Sequence, residues 1–279
     1  MLKLGLGTGR LYTLDQAAAE RLLDHAYGLG IRLYDTAPSY GPAEAWLGAW
    51  RQRRGHGDLI VSTKLGYGVP GVPDWIGTAI AQGIDQALLR LCTARIEIVH
   101  LHSCPAAVAL REDIQRALED AERAGKIGCA GYSGENEDLD GALSSPRFTA
   151  VELSVSLVDQ GSRELRLSSL AERGLRVLAK RPLGNAPWSA RAEAGPPELE
   201  YRRRFEALEL PPPSISWGDL ALRFSAFSPG VDRALLGTAS LMRLSEAAAS
   251  IARGPLEPGV VAAIEARWRE RAAGWRGVV

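Results

Sequence analysis

Short apolar runs alternate with longer stretches of helical period along nearly the whole chain. Lys3–Gly7, Leu33–Thr36, Leu59–Lys64 and Ile96–Leu101 read as strands, each apolar for only a few residues and bounded by polar or glycine positions. Between them, Leu14–Leu29, Ala43–Arg53 and a segment from about Trp75 to Leu91 read as helices. The first helix places Leu22, Leu23 and Ala26 on one face. After the fourth strand a helix from about Leu110 to Ala124 carries Ile114, Ala117, Leu118 and Ala121 at i, i+3, i+4 and i+7. Gly125 then supplies a left-handed stop.

The second half repeats this rhythm. Ile127–Gly131, Ala150–Val155, Arg176–Ala179 and Arg233–Leu236 are the later strands. Helices are predicted near Glu137–Leu143, Ser162–Arg173, Ser216–Phe227, Leu241–Ile251 and Val260–Trp275. The rhythm breaks between Gly184 and Pro213, a stretch rich in Pro, Arg and Glu that reads as a long loop after the seventh strand. Eight strands alternating with helices imply parallel pairing through right-handed crossovers. The expected fold is therefore α/β, a single (β/α)8 TIM barrel over residues 1–279, with eight parallel strands inside outer helices and the 184–213 loop over its mouth. A doubly wound open sheet is the competing architecture. It wants a glycine-rich phosphate turn after the first strand, and Gly5-Leu6-Gly7-Thr8-Gly9 does not fit G-x-G-x-x-G.

Composition narrows the function classes. Lys and Arg number 33 against 33 Asp and Glu, so no broad basic field invites nucleic acid or an anionic membrane. Hydrophobic residues make up 46% of the chain, enough for a sizeable core. Cys92, Cys104 and Cys129 form no C-x-x-C pair, which argues against a disulfide framework or a zinc site and for a reducing compartment. No apolar run approaches the roughly 20 residues that span a bilayer, and Met1–Arg10 lacks a signal-peptide apolar region. The expectation is a cytoplasmic protein with no nucleic-acid or membrane partner.

In a barrel the chemistry lies at the C-terminal ends of the strands. The second strand ends at Asp35, with Tyr40 in the loop beyond; the third ends at Lys64, the fourth near His102. Charges at the ends of apolar strands are costly to bury unless paired, and Asp35 with Lys64 is a natural pair. A lysine beside a phenol lowers its pKa and makes Tyr40 a better proton donor near neutrality. His102 is placed to donate to a carbonyl oxygen. His100 alternates with it and reads as a deeper barrel filler.

These residues resemble the catalytic tetrad of the aldo-keto reductase family. Asp35-Thr36-Ala37-Pro38-Ser39-Tyr40-Gly41 resembles its D-T-A-x-x-Y-G signature, and Ile60–Lys64 its I-x-T-K strand. Leu101-His102 is similar to its L-H strand, and Gly125-Lys126-Ile127 with Gly131-Tyr132-Ser133 to a later segment. The resemblance runs from about Leu4 to Ile251 and implies NADPH-dependent reduction of an aldehyde or ketone, or the reverse alcohol or sugar oxidation. Tyr40 is then the general acid, Lys64 and Asp35 tune it, His102 orients the carbonyl, and no metal is required. The resemblance also implies cofactor residues. Ser133 would hold the nicotinamide carboxamide, Glu152 stands where a Gln is usual, and Lys180 where an aromatic often stacks. Gly134 replaces the usual Asn. Pro182 and Leu183 belong to a P-L-G turn. Gly237, Thr238, Arg243 and Glu246 resemble the adenosine 2′-phosphate site, which favours NADPH over NADH although one arginine carries the preference.

Several of these residues also have plainer readings. Asp35 and Lys64 alone would be a structural ion pair, Ser133 a helix N-cap, Arg243 a solvated helical arginine, and Glu152 a partner for Lys180. Arg202-Arg203-Arg204 reads as a solvated helix face, and Cys104 as inert although close to the mouth. Candidate pocket walls are Leu11, Tyr12, Tyr67, Trp75 and Trp188. The chain ends soon after its last predicted helix, so the expectation is a barrel with little C-terminal cover. Gly134, Glu152 and Lys180 keep a second function open, a non-catalytic reductase-like module that binds nucleotide as a sensor or partner subunit.

Overall fold

A computed structural model describes residues 2–189 and 195–279. Eight strands, β1 (Leu4–Gly7), β2 (Leu33–Asp35), β3 (Ile60–Leu65), β4 (Ile96–His102), β5 (Ile127–Ser133), β6 (Phe148–Ser154), β7 (Arg176–Lys180) and β8 (Arg233–Gly237), pair in sequence order. All pairings are parallel, and β1 returns to β8 to close the barrel. The alternation of strands and helices thus gives the barrel and not the open sheet.

Because side chains alternate along a strand, each strand sends every second residue inward. Leu33, Ile98, Ala150, Leu178 and Leu235 form the apolar filling of the barrel. Two residues further along the same strands stand Asp35, His100, Glu152, Lys180 and Gly237. The interior therefore changes from an apolar layer to a polar one within a single strand repeat, towards the C-terminal ends. The intervening residues, among them Tyr34, Val61, Val99, Val151, Val177 and Leu236, pack outwards beneath the helices.

Observed boundaries differ from the predicted ones where this polar layer lies. β4 and β5 extend beyond their apolar runs to His102 and Ser133, which remain paired across the sheet. The helix predicted at Ser162–Arg173 is broken at Arg166 into Gly161–Leu165 and Leu167–Glu172. Within 184–213, predicted as a long loop, Pro196–Leu208 forms a helix with Pro at its start and Glu198 in its first turn. Tyr201, Arg204 and Leu208 are its buried face. Arg204 is thus no solvated residue: it is 4% exposed, with its guanidinium on Glu200 and on the carbonyl of Arg276. Arg203 does face solvent and pairs with Glu200. The part of the expected loop at 190–194 lies outside the described residues.

Candidate active site

The site is assembled from neighbouring strand ends. Asp35 closes β2, and its strand register sets it beside Ser62, whose hydroxyl donates to Oδ1 at 2.9 Å. Lys64, two residues on, points into the same layer. Its ammonium donates to Asp35 Oδ2 and, at 3.2 Å, to the carbonyl of Thr36. It also lies 3.2 Å from Glu152 Oε2 and 5.3 Å from the centre of the Tyr40 ring. Lys64, Asp35 and Glu152 are all buried. The lysine thus faces two carboxylates, and Glu152 pairs with Lys64 and not with Lys180, the partner its plainer reading offered. Lys180 instead pairs at 3.3 Å with Glu135, whose Oε1 also accepts from the Ser154 amide at 2.8 Å. Glu135 escaped the sequence reading because it sits in a polar loop with no strand or helix period to mark it as buried.

The electrostatics follow from this crowding. Burial and the charge of Glu152 raise the Asp35 carboxyl to about 7, against the pull of Lys64. Two carboxylates sharing one ammonium titrate as a unit. The Tyr40 hydroxyl is also raised, to about 12, because burial outweighs the attraction of Lys64. This corrects the expectation of a lowered Tyr40 pKa: Lys64 does act in the predicted direction, but Asp35 and Glu152 answer its charge.

His102 stands at the end of β4 with Nδ1 2.5 Å from the hydroxyl of Tyr67. That hydroxyl also lies 3.0 Å from Ser39 Oγ. When Tyr67 donates to Nδ1, Nε2 carries the proton and is the donor. Burial and the charge of Lys64 lower His102 to about 4, so its ring is neutral at physiological pH. His100 is the deep barrel residue expected, fully buried and held neutral by desolvation.

Asp35, Tyr40 and His102 open onto a cleft of about 970 Å³. Ser133, Glu152, Lys180, Pro182 and Leu183 line one part of it, and Gly237, Thr238, Arg243 and Glu246 another. Lys64 lies behind Asp35, reaching the cleft through its partners. Ser133 is no helix cap, since the next helix, Asn136–Ala142, begins after Glu135 without a side-chain cap. Arg243 and Glu246 are exposed in the first turns of the helix Leu241–Ala252, whose N-cap Ser240 accepts from the Arg243 amide at 3.3 Å. A groove of about 960 Å³ on the barrel's outside contains surface ion pairs such as Arg116–Glu112 and none of the strand-end residues.

The expected pocket walls divide. Trp188 lines the cleft and continues into an aromatic corner with Trp217 and Phe205, at ring-centre distances of 6.2 and 5.9 Å. Tyr67 supports His102 and, like Trp75, does not line the cleft; Trp75 packs against Tyr67 at 5.9 Å. Tyr12 is 59% exposed and outside the cleft, whereas Leu11 is buried in the core. Cys104 is buried, and its carbonyl accepts from the Tyr132 hydroxyl.

The expectation of little C-terminal cover is corrected as well. Trp275–Val279 runs back to the rim of the cleft, which Val279 lines. Its backbone is caught group by group. Arg204 donates to the Arg276 carbonyl at 2.7 Å. Asn136 accepts from the Gly277 amide at 2.8 Å and donates to its carbonyl at 3.0 Å. Asp159 accepts from the Val278 amide at 3.1 Å, and Arg181 donates to the Val278 carbonyl.

An ion-paired lysine, a partly buried tyrosine and a neutral histidine thus stand around one mouth of a closed parallel barrel. The chain belongs to the Aldo/keto reductase family, whose model it matches over residues 3–269. It is therefore an oxidoreductase of a family that carries out NAD(P)-dependent carbonyl chemistry. Among its relatives, 6-dehydroglucose reductase of Novosphingobium aromaticivorans is 28% identical, over 72% of this chain and 72% of that protein. L-galactose dehydrogenase of Arabidopsis thaliana is 25% identical, over 81% of this chain and 75% of its own length. The fold is also that of an aldo-keto reductase from Bacillus halodurans solved in its holo form, with a TM-score of 0.82 and 22% identity over 95% of this chain and 91% of that one. No helix among the described residues is long and apolar enough to cross a membrane.

Proposed function

We propose that the protein reduces an aldehyde or ketone with NADPH, or oxidises the corresponding alcohol or sugar in reverse. The observation that carries this reading is the convergence of Tyr40, Asp35 and His102 on one cleft, with Lys64 behind them. Nicotinamide, when bound, supplies or accepts the hydride. Tyr40 donates the proton to the forming alkoxide and is fully protonated at neutral pH, as an acid must be. Lys64 stabilises the phenolate left behind, and Asp35 holds the lysine in place. His102, neutral and fixed by Tyr67, donates to the carbonyl oxygen.

The residues present fit a dinucleotide. Glu152 lines the cleft with a buried carboxylate, whose Oε2 lies 3.2 Å from the Lys64 ammonium without an aligned hydrogen bond and which can accept from an amide. The helix Leu241–Ala252 brings its N-terminus and Arg243 to the cleft, a combination suited to phosphate. Ser133, Lys180, Pro182, Leu183, Gly237 and Thr238 line the same cleft. The aromatic corner at Trp188, Trp217 and Phe205 supports a substrate with a face to stack, such as a sugar. The names of the two curated relatives agree with that class. The three free thiols agree with a reducing, cytoplasmic setting, and we propose a monomer or weak homo-oligomer.

The deciding experiment follows NADPH oxidation against a panel of aldehydes and sugars, for wild type and Tyr40→Phe. Wild type turns over at least one substrate, and the variant loses a factor of about 100 to 10,000 in kcat. A wild type that binds NADPH and turns over nothing would establish the non-catalytic, nucleotide-sensing alternative. For the cofactor, Arg243→Ala weakens NADPH more than NADH; equal losses would show that Arg243 does not read the 2′-phosphate.

A further inference from the structure

We propose that Glu152 is a specificity-determining residue that makes the cleft bind the oxidised, cationic form of the nicotinamide in preference to the reduced form. The inference rests on the nucleotide-binding reading above.

Its starting point is an imbalance of charge. Asp35 and Glu152 both face Lys64, and among the described residues no second cation forms an ion pair with either of them. Lys180 is the nearest candidate in the cleft wall, but Glu135 already pairs with it. His100 and His102 are neutral. Glu152, despite burial held low by Lys64, keeps its charge, and once Asp35, raised to about 7, is ionised as well, the floor of the cleft carries one more negative charge than positive.

Of the two carboxylates, Asp35 is the better satisfied, by the Ser62 hydroxyl and by Lys64. Glu152 has fewer hydrogen bonds, but despite burial the charge of Lys64 holds its carboxyl below the usual range, so it is the carboxylate that stays ionised. Its Oε2 lies 3.2 Å from the ammonium, yet has no aligned hydrogen bond. Glu152 is also directly beside Ser133 in the pairing of β5 with β6, and both residues line the cleft. Any ring that Ser133 receives by its carboxamide is therefore a neighbour of the Glu152 carboxylate. Burial removes the water that would screen such a charge. The two redox forms of nicotinamide differ by one positive charge on the ring, so a fixed carboxylate separates them electrostatically. A neutral glutamine at the same position would accept the carboxamide hydrogen bond without that discrimination.

The test is a binding measurement without turnover. Dissociation constants for NADP+ and NADPH are measured by titration calorimetry at a pH well above the Asp35 value of about 7, where both carboxylates are ionised, on wild type and on Glu152→Gln, whose folding is checked by its melting curve. Wild type is expected to hold NADP+ at least as tightly as NADPH. In Glu152→Gln the preference for NADP+ falls by on the order of tenfold, the effect of one partly compensated charge in a site of intermediate dielectric. An unchanged ratio in a folded variant overturns the proposal, as does a wild type that prefers NADPH, a result that needs no variant. Failure of wild type to bind either nucleotide refutes the nucleotide-binding reading itself, and is thereby distinguished from the other outcomes.

Discussion

His100 shows how a single residue couples the barrel to pH. Both of its ring nitrogens are buried without a hydrogen-bond partner, and its ring stands against Gly131, where a Cβ would come within 2.4 Å of Nδ1. Desolvation holds its pKa at about 4, whereas in the unfolded chain it returns to the ordinary value of 6.5. As pH falls from 6.5 towards 4, the unfolded chain takes up the proton first, so stability present above 6.5 is lost in that window. Asp35 acts in the opposite sense, since its raised pKa makes the folded state bind the proton first. Comparison of wild type with His100→Leu isolates the histidine. The variant should lose about 2 kcal/mol less than wild type between pH 7 and pH 5, read from denaturant midpoints at the two pH values. At this scale Asp35, Lys64 and His102 were legible because strand ends and two-residue alternation mark them. The Tyr67–His102 and Glu152–Lys64 partnerships were not, because each joins residues from different units whose separation in sequence carries no period.

Helices were legible to the extent that their own residues fix their ends. The helix Gln16–Gly28 begins at Asp15, whose Oδ1 accepts from the Ala18 amide at 2.7 Å. Its inward face of Ala19, Leu22, Leu23 and Ala26 has the spacing read from the sequence. Asp15→Ala removes the cap and should cost about 1 kcal/mol, measured by thermal or urea denaturation, with nucleotide affinity unchanged. The helix Pro196–Leu208 was missed because prolines at 196–197 and 211–213 give the stretch a loop's composition. Proline is in fact compatible with a first helical turn, and Tyr201, Arg204 and Leu208 have the buried spacing. An arginine on that face disguised it as solvated, and only the carbonyl of Arg276, from the far end of the chain, explains why it is buried.

Closure and the C-terminal clasp belong to the whole molecule. Asn136, Asp159, Arg181 and Arg204 hold backbone groups of Arg276–Val278, so the clasp depends little on the side chains it grips. Asn136→Ala removes both bonds to Gly277. The expected result is faster hydrogen exchange at the amides of Gly277 and Val278, with amides in β3 to β6 as protected as before. Unchanged exchange at those two amides would show that Asn136 does not secure the segment.

The sequence by itself determined the number and order of the strands, the closed parallel architecture, and which residues stand at the strand ends. These follow from local period, turn chemistry and the handedness of crossovers, all written within some tens of residues. Tertiary structure alone decided how the charges are shared. Lys64 faces two carboxylates, Lys180 turns to Glu135, and Tyr40 is raised instead of lowered. A pKa depends on burial and on every charge within a few ångströms, and barrel closure brings those charges together from strands far apart in the chain.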